Sequence, residues 1–120
     1  MQEQLEFRPG ATILKQGDES NGLYVLQKGA LEVYKDQIML NVLMYPGTVF
    51  GEIGEILGKP RTCTVKARTK SVVTRYQAEN LSDFLKEHPE IGEKIMQTLA
   101  NRLEITTQKL ADLSTVSQRP

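Results

Sequence analysis

Glu52 and Arg61 stand nine residues apart, on either side of a short, glycine-punctuated stretch. Phe50-Gly51 closes one β-rich run, and Ile53 to Leu57 has room for a single helical turn or slightly more. Gly58-Lys59-Pro60 breaks that turn, and Thr62 to Val65 resumes a β-rich pattern. A short helix entered through glycine leaves its first backbone N–H groups free, which suits an anion. Arginine supplies a fork of donors for a phosphate. A carboxylate does not favour that phosphate, but it accepts hydrogen bonds from sugar hydroxyls. One cation and one acceptor at this spacing fit a ligand with a single phosphate and a ribose.

The remaining reactive side chains argue against catalysis. His88 is the only histidine, and it directly precedes Pro89, where it reads as a helix-boundary residue. One histidine gives no basis for a serine–histidine–acid set, and no metal-ligand spacing occurs, so no metal or other cofactor is expected. Cys63 is the single cysteine, which excludes an internal disulfide and a cysteine-cluster metal site. No basic or electropositive neighbour in sequence marks it as a nucleophile, and its residue type reads as small packing. Lys66, Arg68 and Lys70 alternate with apolar or small residues, the pattern of one solvated strand face.

The elements that must position Glu52 and Arg61 are mostly short strands. Gln4–Arg8, Ala11–Lys15, Gly22–Gln27, Leu31–Lys35, Ile38–Met44, Val49–Phe50, Val65–Ala67 and Ser71–Tyr76 read as strands. Turn signals such as Pro9-Gly10, Gly17-Asp18, Lys28-Gly29, Asp36-Gln37 and Pro46-Gly47 separate several of them. Many short strands at regular spacing predict a closed antiparallel barrel or a jelly roll. From Asn80 the period changes. Leu81, Phe84 and Leu85 mark a short amphipathic helix, with Asn80 as N-cap three residues before Asp83. Pro89 suits the start of a second helix running to about Leu113. Along it Met96, Leu99, Leu103, Thr106, Leu110 and Leu113 recur at alternating spacings of three and four, an a/d seam that predicts a parallel homodimer. The polar tail from Ser114 to Pro120 is expected to fray.

The central stretch closely resembles the phosphate-binding cassette of the cyclic-nucleotide-binding domain family. That pattern runs Phe-Gly-Glu-Leu/Ile-small and, a few residues on, Pro-Arg-Ser/Thr/Ala-small-Thr-Val. Phe50, Gly51, Glu52, Ile53, Gly54, Gly58, Pro60, Arg61, Thr62, Thr64 and Val65 match it without a gap. Glu55 departs, because the family usually has leucine there. The start departs too: most members carry a helix before the first strand, for which this chain has no room.

The resemblance implies a mainly β fold, an eight-stranded jelly-roll barrel (double-stranded β-helix) followed by two helices. On this map the domain is 1–113, with a barrel at 3–78, a short helix at 80–88, a long dimerisation helix at 89–113 and a tail at 114–120. It further implies that Arg61 binds phosphate and Glu52 the ribose 2′-hydroxyl. The backbone at Gly51 and Gly54 approaches ribose and phosphate, and Ile53 is a core residue that doubles as the apolar contact sensing cassette closure. Thr62 helps hold phosphate, and Cys63 is counted with the cassette's ligand-binding positions. The long final helix most resembles the catabolite-activator branch, where Arg102, Thr106 and Thr107 match the base-contacting triplet in Arg-Leu-x-x-Thr-Thr. The plainer readings stand beside these: a surface arginine at 61, a helix-terminal acid at 52, turn glycines at 51 and 54, and solvated helix residues at 102 and 107. Thr106 is harder to read as inert, because a polar residue in an apolar seam needs a partner.

Length and composition bound the rest. A chain of 120 residues is one domain by length, and 39% apolar with 25% charged residues is ordinary for a globular protein. Fifteen basic and fifteen acidic residues cancel, so the basic excess of a nucleic-acid-binding domain is lacking. The longest apolar cluster, Ile38 to Tyr45, is too short to span a bilayer, and the first residues do not form a signal peptide, so a cytoplasmic location is expected. The expectation is therefore a non-enzymatic regulatory domain that binds a cyclic nucleotide, cAMP in preference to cGMP. The DNA-reading winged helix of the activator branch would follow the last helix; the sequence is either a fragment of such a regulator or a domain acting alone. The rival is a cupin-like barrel that serves as a protein-interaction module or binds another anionic nucleotide. A metal-dependent cupin is disfavoured by the single histidine.

Overall fold

The computed structural model describes residues 2–77 and 80–117. The chain divides into two compact units, Met1–Glu87 and His88–Pro120. In the first, eight strands precede a short helix: β1 (Gln2–Phe7), β2 (Thr12–Leu14), β3 (Leu23–Lys28), β4 (Leu31–Lys35), β5 (Ile38–Leu43), β6 (Val49–Phe50), β7 (Thr64–Ala67) and β8 (Ser71–Tyr76). Helix α1 (Glu52–Leu57) is inserted between β6 and β7, and α2 (Leu81–Glu87) closes the unit. The second unit holds α3 (Pro89–Ser117). The predicted end of the barrel at residue 78 and the tail beyond 117 lie outside the described residues.

The strands form two four-stranded sheets, ordered β1-β8-β3-β6 and β2-β7-β4-β5, with every neighbouring pair antiparallel. This is the jelly-roll arrangement; the described ladders leave two sheets and do not close into one continuous barrel. Alternation decides which side chains face inward. On β7, Val65 and Ala67 are buried while Lys66 is exposed. Tyr24, Leu26, Phe50 and Val73 from the first sheet meet Leu14, Leu31, Leu43, Val65 and Ala67 from the second in one core. Leu26, Leu31 and Val73 are fully buried, so the centre of the sandwich sits on β3, β4 and β8.

The β4–β5 hairpin turns on Asp36 and Gln37, with φ of 51° and 68°. Two left-handed residues are what a two-residue hairpin with native strand twist requires, and here neither is glycine. Gln16 supports this turn from another strand connection. Its Nε2 donates to Asp36 Oδ1 at 2.9 Å, and its Oε1 accepts from the Asp36 N–H at 3.0 Å. β5 lies at the sheet edge and leaves Ile38, Met39 and Leu40 exposed.

Helix α2 begins where the sequence places its cap. The Asp83 N–H donates to Asn80 Oδ1 at 2.8 Å, and Asn80 Nδ2 donates back to Asp83 Oδ2 at 3.0 Å. Its buried Phe84 meets the ring of Tyr76 edge-on, with centroids 6.1 Å apart. Helix α3 is 29 residues long and runs past Leu113 to Ser117. Ser114 to Ser117 contain no helix breaker, so nothing stops propagation at the last apolar seam position. Met96, Leu103, Leu110 and Leu113 are all exposed on α3, and Leu99 is partly so.

Candidate functional site

The sequence's central stretch folds as a strand end, a tight left-handed residue and a single short helix. β6 ends at Phe50, whose ring stacks on Tyr24 at 5.4 Å. Gly51 then adopts φ 76° and enters α1, and Gly58, at φ 62°, ends it. The Lys59 N–H donates to the Gly54 carbonyl at 3.0 Å and closes the last turn. Gly51 requires glycine twice over, through its positive φ and through space: a Cβ there would stand 2.8 Å from Arg61 Nη1. Gly54 is buried, and a Cβ on it would collide with Ser20 Oγ and approach the Lys59 carbonyl to 3.0 Å. Ser20 and Lys59 are themselves bonded, Oγ to carbonyl, at 2.7 Å. The helix is therefore seated by the absence of a side chain at position 54.

Arg61 is 4% exposed and Glu52 3%, so the two residues that carried the chemistry in the sequence are both buried. The backbone of Arg61 is tied at both ends to the turn after β2: its N–H donates to the Asp18 carbonyl at 2.8 Å, and its carbonyl accepts from Gly17 at 2.9 Å. Its guanidinium is held by three oxygens. Nη1 donates to the Gly51 carbonyl at 2.7 Å, and Nη2 donates to Asn21 Oδ1 at 2.8 Å and to the Gly22 carbonyl at 2.9 Å. The Tyr24 ring lies beneath it, with Arg61 Cζ 5.5 Å from the centroid. Burial pulls the guanidinium below its ordinary pKa, while Tyr24, Glu55 and Glu52 act in the opposite sense. An arginine stays protonated under such a shift, so the site keeps a buried positive charge.

None of these three acceptors is ionised, and Nε is buried without a hydrogen-bond partner among the described residues. A preorganised guanidinium fork with an unused donor is the chemistry of an oxyanion site.

The other predicted residues divide by place. Thr62 and Cys63 follow Arg61, both half-buried, with Thr62 Oγ1 3.8 Å from Cys63 Sγ. Cys63 is a free thiol. Ile53 departs from the core position expected of it. It is 37% exposed, because the inward face of this short helix is taken by Glu52 and Gly54. Arg102, Thr106 and Thr107 lie exposed on α3 in the second unit.

Sequence reasoning missed Asn21, Gly22 and Tyr24 as partners of Arg61. The Asn21-Gly22 pair carries a turn signature, but nothing local says that its oxygens meet a residue 40 positions on. Glu55 was singled out only as a departure from leucine. Its Oε1 accepts the Gly22 N–H at 2.6 Å. Among the described residues no three or more histidine, cysteine or acidic side chains are grouped to hold a metal, and no helix is long and apolar enough to cross a membrane.

Comparison with known proteins agrees with this geometry. Residues 4–88 match the family model of the cyclic nucleotide-binding domain. The chain is 27% identical over 113 residues to a CRP-like cAMP-activated global transcriptional regulator of Mycobacterium tuberculosis, covering 91% of this chain and 50% of that protein. It is 28% identical over 96 residues to a cAMP-dependent protein kinase type II regulatory subunit of Drosophila melanogaster, covering 80% of this chain and 25% of that one. The chain thus spans half or less of the length of these relatives. The fold superposes on Thermus thermophilus catabolite activator protein with a TM-score of 0.80 at 22% identity, over 94% of this chain and 55% of the other. With the matched segment taking in both sheets and the whole cassette, the chain belongs to the cyclic nucleotide-binding domain family.

Proposed function

We propose that this domain binds cAMP in preference to cGMP and acts as a cytoplasmic regulatory module without catalysis of its own. The observation that carries the reading is Arg61. A guanidinium that is 4% exposed, bonded to uncharged oxygens and left with a buried Nε–H, is a cation in want of an anion. A cyclic phosphate supplies one negative charge and acceptor oxygens. Glu52, buried on the first turn of α1, accepts from the ribose 2′-hydroxyl. Arg102, Thr106 and Thr107 on α3 supply the base contacts. The names of the relatives, a cAMP-activated regulator and a cAMP-dependent kinase's regulatory subunit, support the choice of ligand.

The output is a population shift. If the closed arrangement of cassette and α3 binds the nucleotide more tightly than the open one, ligand biases the position of α3, which a further domain or partner reads. The a/d seam on α3 supports a parallel homodimer as the working form. Calorimetric titration of the whole chain with cAMP, cGMP and 5′-AMP tests the reading. Saturable binding in the order cAMP, cGMP, 5′-AMP is expected. Equal affinity for cAMP and 5′-AMP, or no binding of either cyclic nucleotide, would overturn it.

A further inference from the structure

The two backbone polar groups of Gly22 join the cassette helix to the arginine. Its N–H donates to Glu55 Oε1 on α1 at 2.6 Å, and its carbonyl accepts from Arg61 Nη2 at 2.9 Å. The two groups belong to successive peptide planes that meet at the Gly22 Cα. At glycine those planes rotate with little steric restraint, and Gly22 sits at φ 125°, outside the range of ordinary residues. No side chain can restrain it, because a Cβ would stand 2.6 Å from the Tyr76 carbonyl. Regular pairing on β3 begins only at Leu23, opposite Tyr76. The bond from the Gly22 N–H to a carboxylate fixes the Asn21–Gly22 peptide, and with it Asn21, whose Oδ1 accepts from Arg61 Nη2 at 2.8 Å, and the Cα from which the Gly22 carbonyl extends.

We infer that Glu55 is a positioning residue for the phosphate subsite: its carboxylate anchors the Asn21–Gly22 peptide to α1, and the two acceptors carried there, Asn21 Oδ1 and the Gly22 carbonyl, hold Arg61 Nη2 and so set the orientation of the guanidinium. The inference rests on the reading of Arg61 as the phosphate ligand and adds a residue to it. Sequence resemblance gives no such role, since the family usually has leucine at this position. The bond also makes a direct strut between α1 and the start of β3. A ligand that orders α1 thereby stiffens its own arginine, and the arginine, once loaded, holds α1.

The test uses the full chain and the variants Glu55→Ala and Glu55→Gln, with Arg61→Lys as background for each. Glutamine keeps a carbonyl oxygen within reach of the Gly22 N–H; alanine does not. Glu55→Ala is expected to weaken cAMP binding about tenfold, with Glu55→Gln restoring it to within about threefold of wild type. On the Arg61→Lys background, Glu55→Ala is expected to change affinity little, because the fork it orients is gone. In the ligand-free protein the Arg61 Nε–Hε resonance is expected to move in Glu55→Ala and return in Glu55→Gln. Full affinity in Glu55→Ala, equal loss in both variants, or losses that simply add to that of Arg61→Lys would overturn the positioning role. Were wild type to bind no cyclic nucleotide, the functional reading would fail, and the Nε–Hε resonance would still decide whether Glu55 orients Arg61.

Discussion

Arg61 and Glu52 sit a helical turn and a loop apart in sequence, yet both are buried, and the proposed function gives each a distinct chemical duty. Arg61 keeps its charge in place with uncharged acceptors, which orient the guanidinium without neutralising it. Had a carboxylate been bonded to the fork, a phosphate would have to compete with it; with Asn21 and two carbonyls there, no bonded carboxylate has to be displaced. Glu52 would repel that same anion, and the proposed partner of its carboxylate is therefore a neutral donor, the ribose hydroxyl. The prediction at this scale compares cAMP and its 2′-deoxy analogue on wild type and on Glu52→Gln. The analogue is expected to bind wild type weakly, and the substitution to cost cAMP much more than it costs the analogue. Equal losses for the two ligands would assign Glu52 to holding cassette backbone instead.

At the scale of elements, what could be read from sequence is what local pattern determines. The Leu31–Lys35 and Ile38–Leu43 strands and the Asp36-Gln37 turn between them follow from alternation and turn chemistry within a dozen residues. The Asn80 cap likewise depends on a residue three positions away. The contiguous cassette placed a short helix at Ile53 to Leu57, between Glu52 and Arg61; the helix is found one residue longer, with Glu52 as its first residue and Arg61 beyond its end. The acceptors of Arg61 were not legible, because Asn21 and Gly22 reach it across the fold from about forty residues back. The resemblance implies a core position for Ile53, whereas the register of a six-residue helix turns Glu52 and Gly54 inward. The end of α3 was set by the seam, which stops at Leu113, while helix propagation needs only the absence of a breaker. That seam carries the element-scale prediction. Leu110 and Leu113 are 61% and 63% exposed, and a lone helix gains nothing from an apolar stripe in water. Leu110→Asp combined with Leu113→Asp is expected to give monomers by sedimentation that still bind cAMP but discriminate less between cAMP and cGMP. Wild type that stays monomeric at high concentration with saturating cAMP would refute the α3 dimer.

For the whole molecule, the balance of fifteen basic and fifteen acidic residues matters to the mechanism. With no net charge to draw anions from a distance, the proposed attraction for a phosphate is local, at one preorganised cation. The jelly roll supplies that preorganisation. β3 and the two residues before it bring Tyr24, Asn21 and Gly22 to the same place as the cassette carried between β6 and β7. On the proposed reading, removing the cation abolishes binding while the apolar cluster between the sheets, which is built from other residues, stays in place. The most direct measurement is therefore calorimetric titration of cAMP into wild type and into Arg61→Leu, with folding of both checked by thermal melting. A loss on the order of 3–5 kcal/mol, more than about a hundredfold in affinity, is expected for a buried anion deprived of its charge partner. An Arg61→Leu protein that is folded and binds cAMP within a few-fold of wild type would contradict the account at its centre.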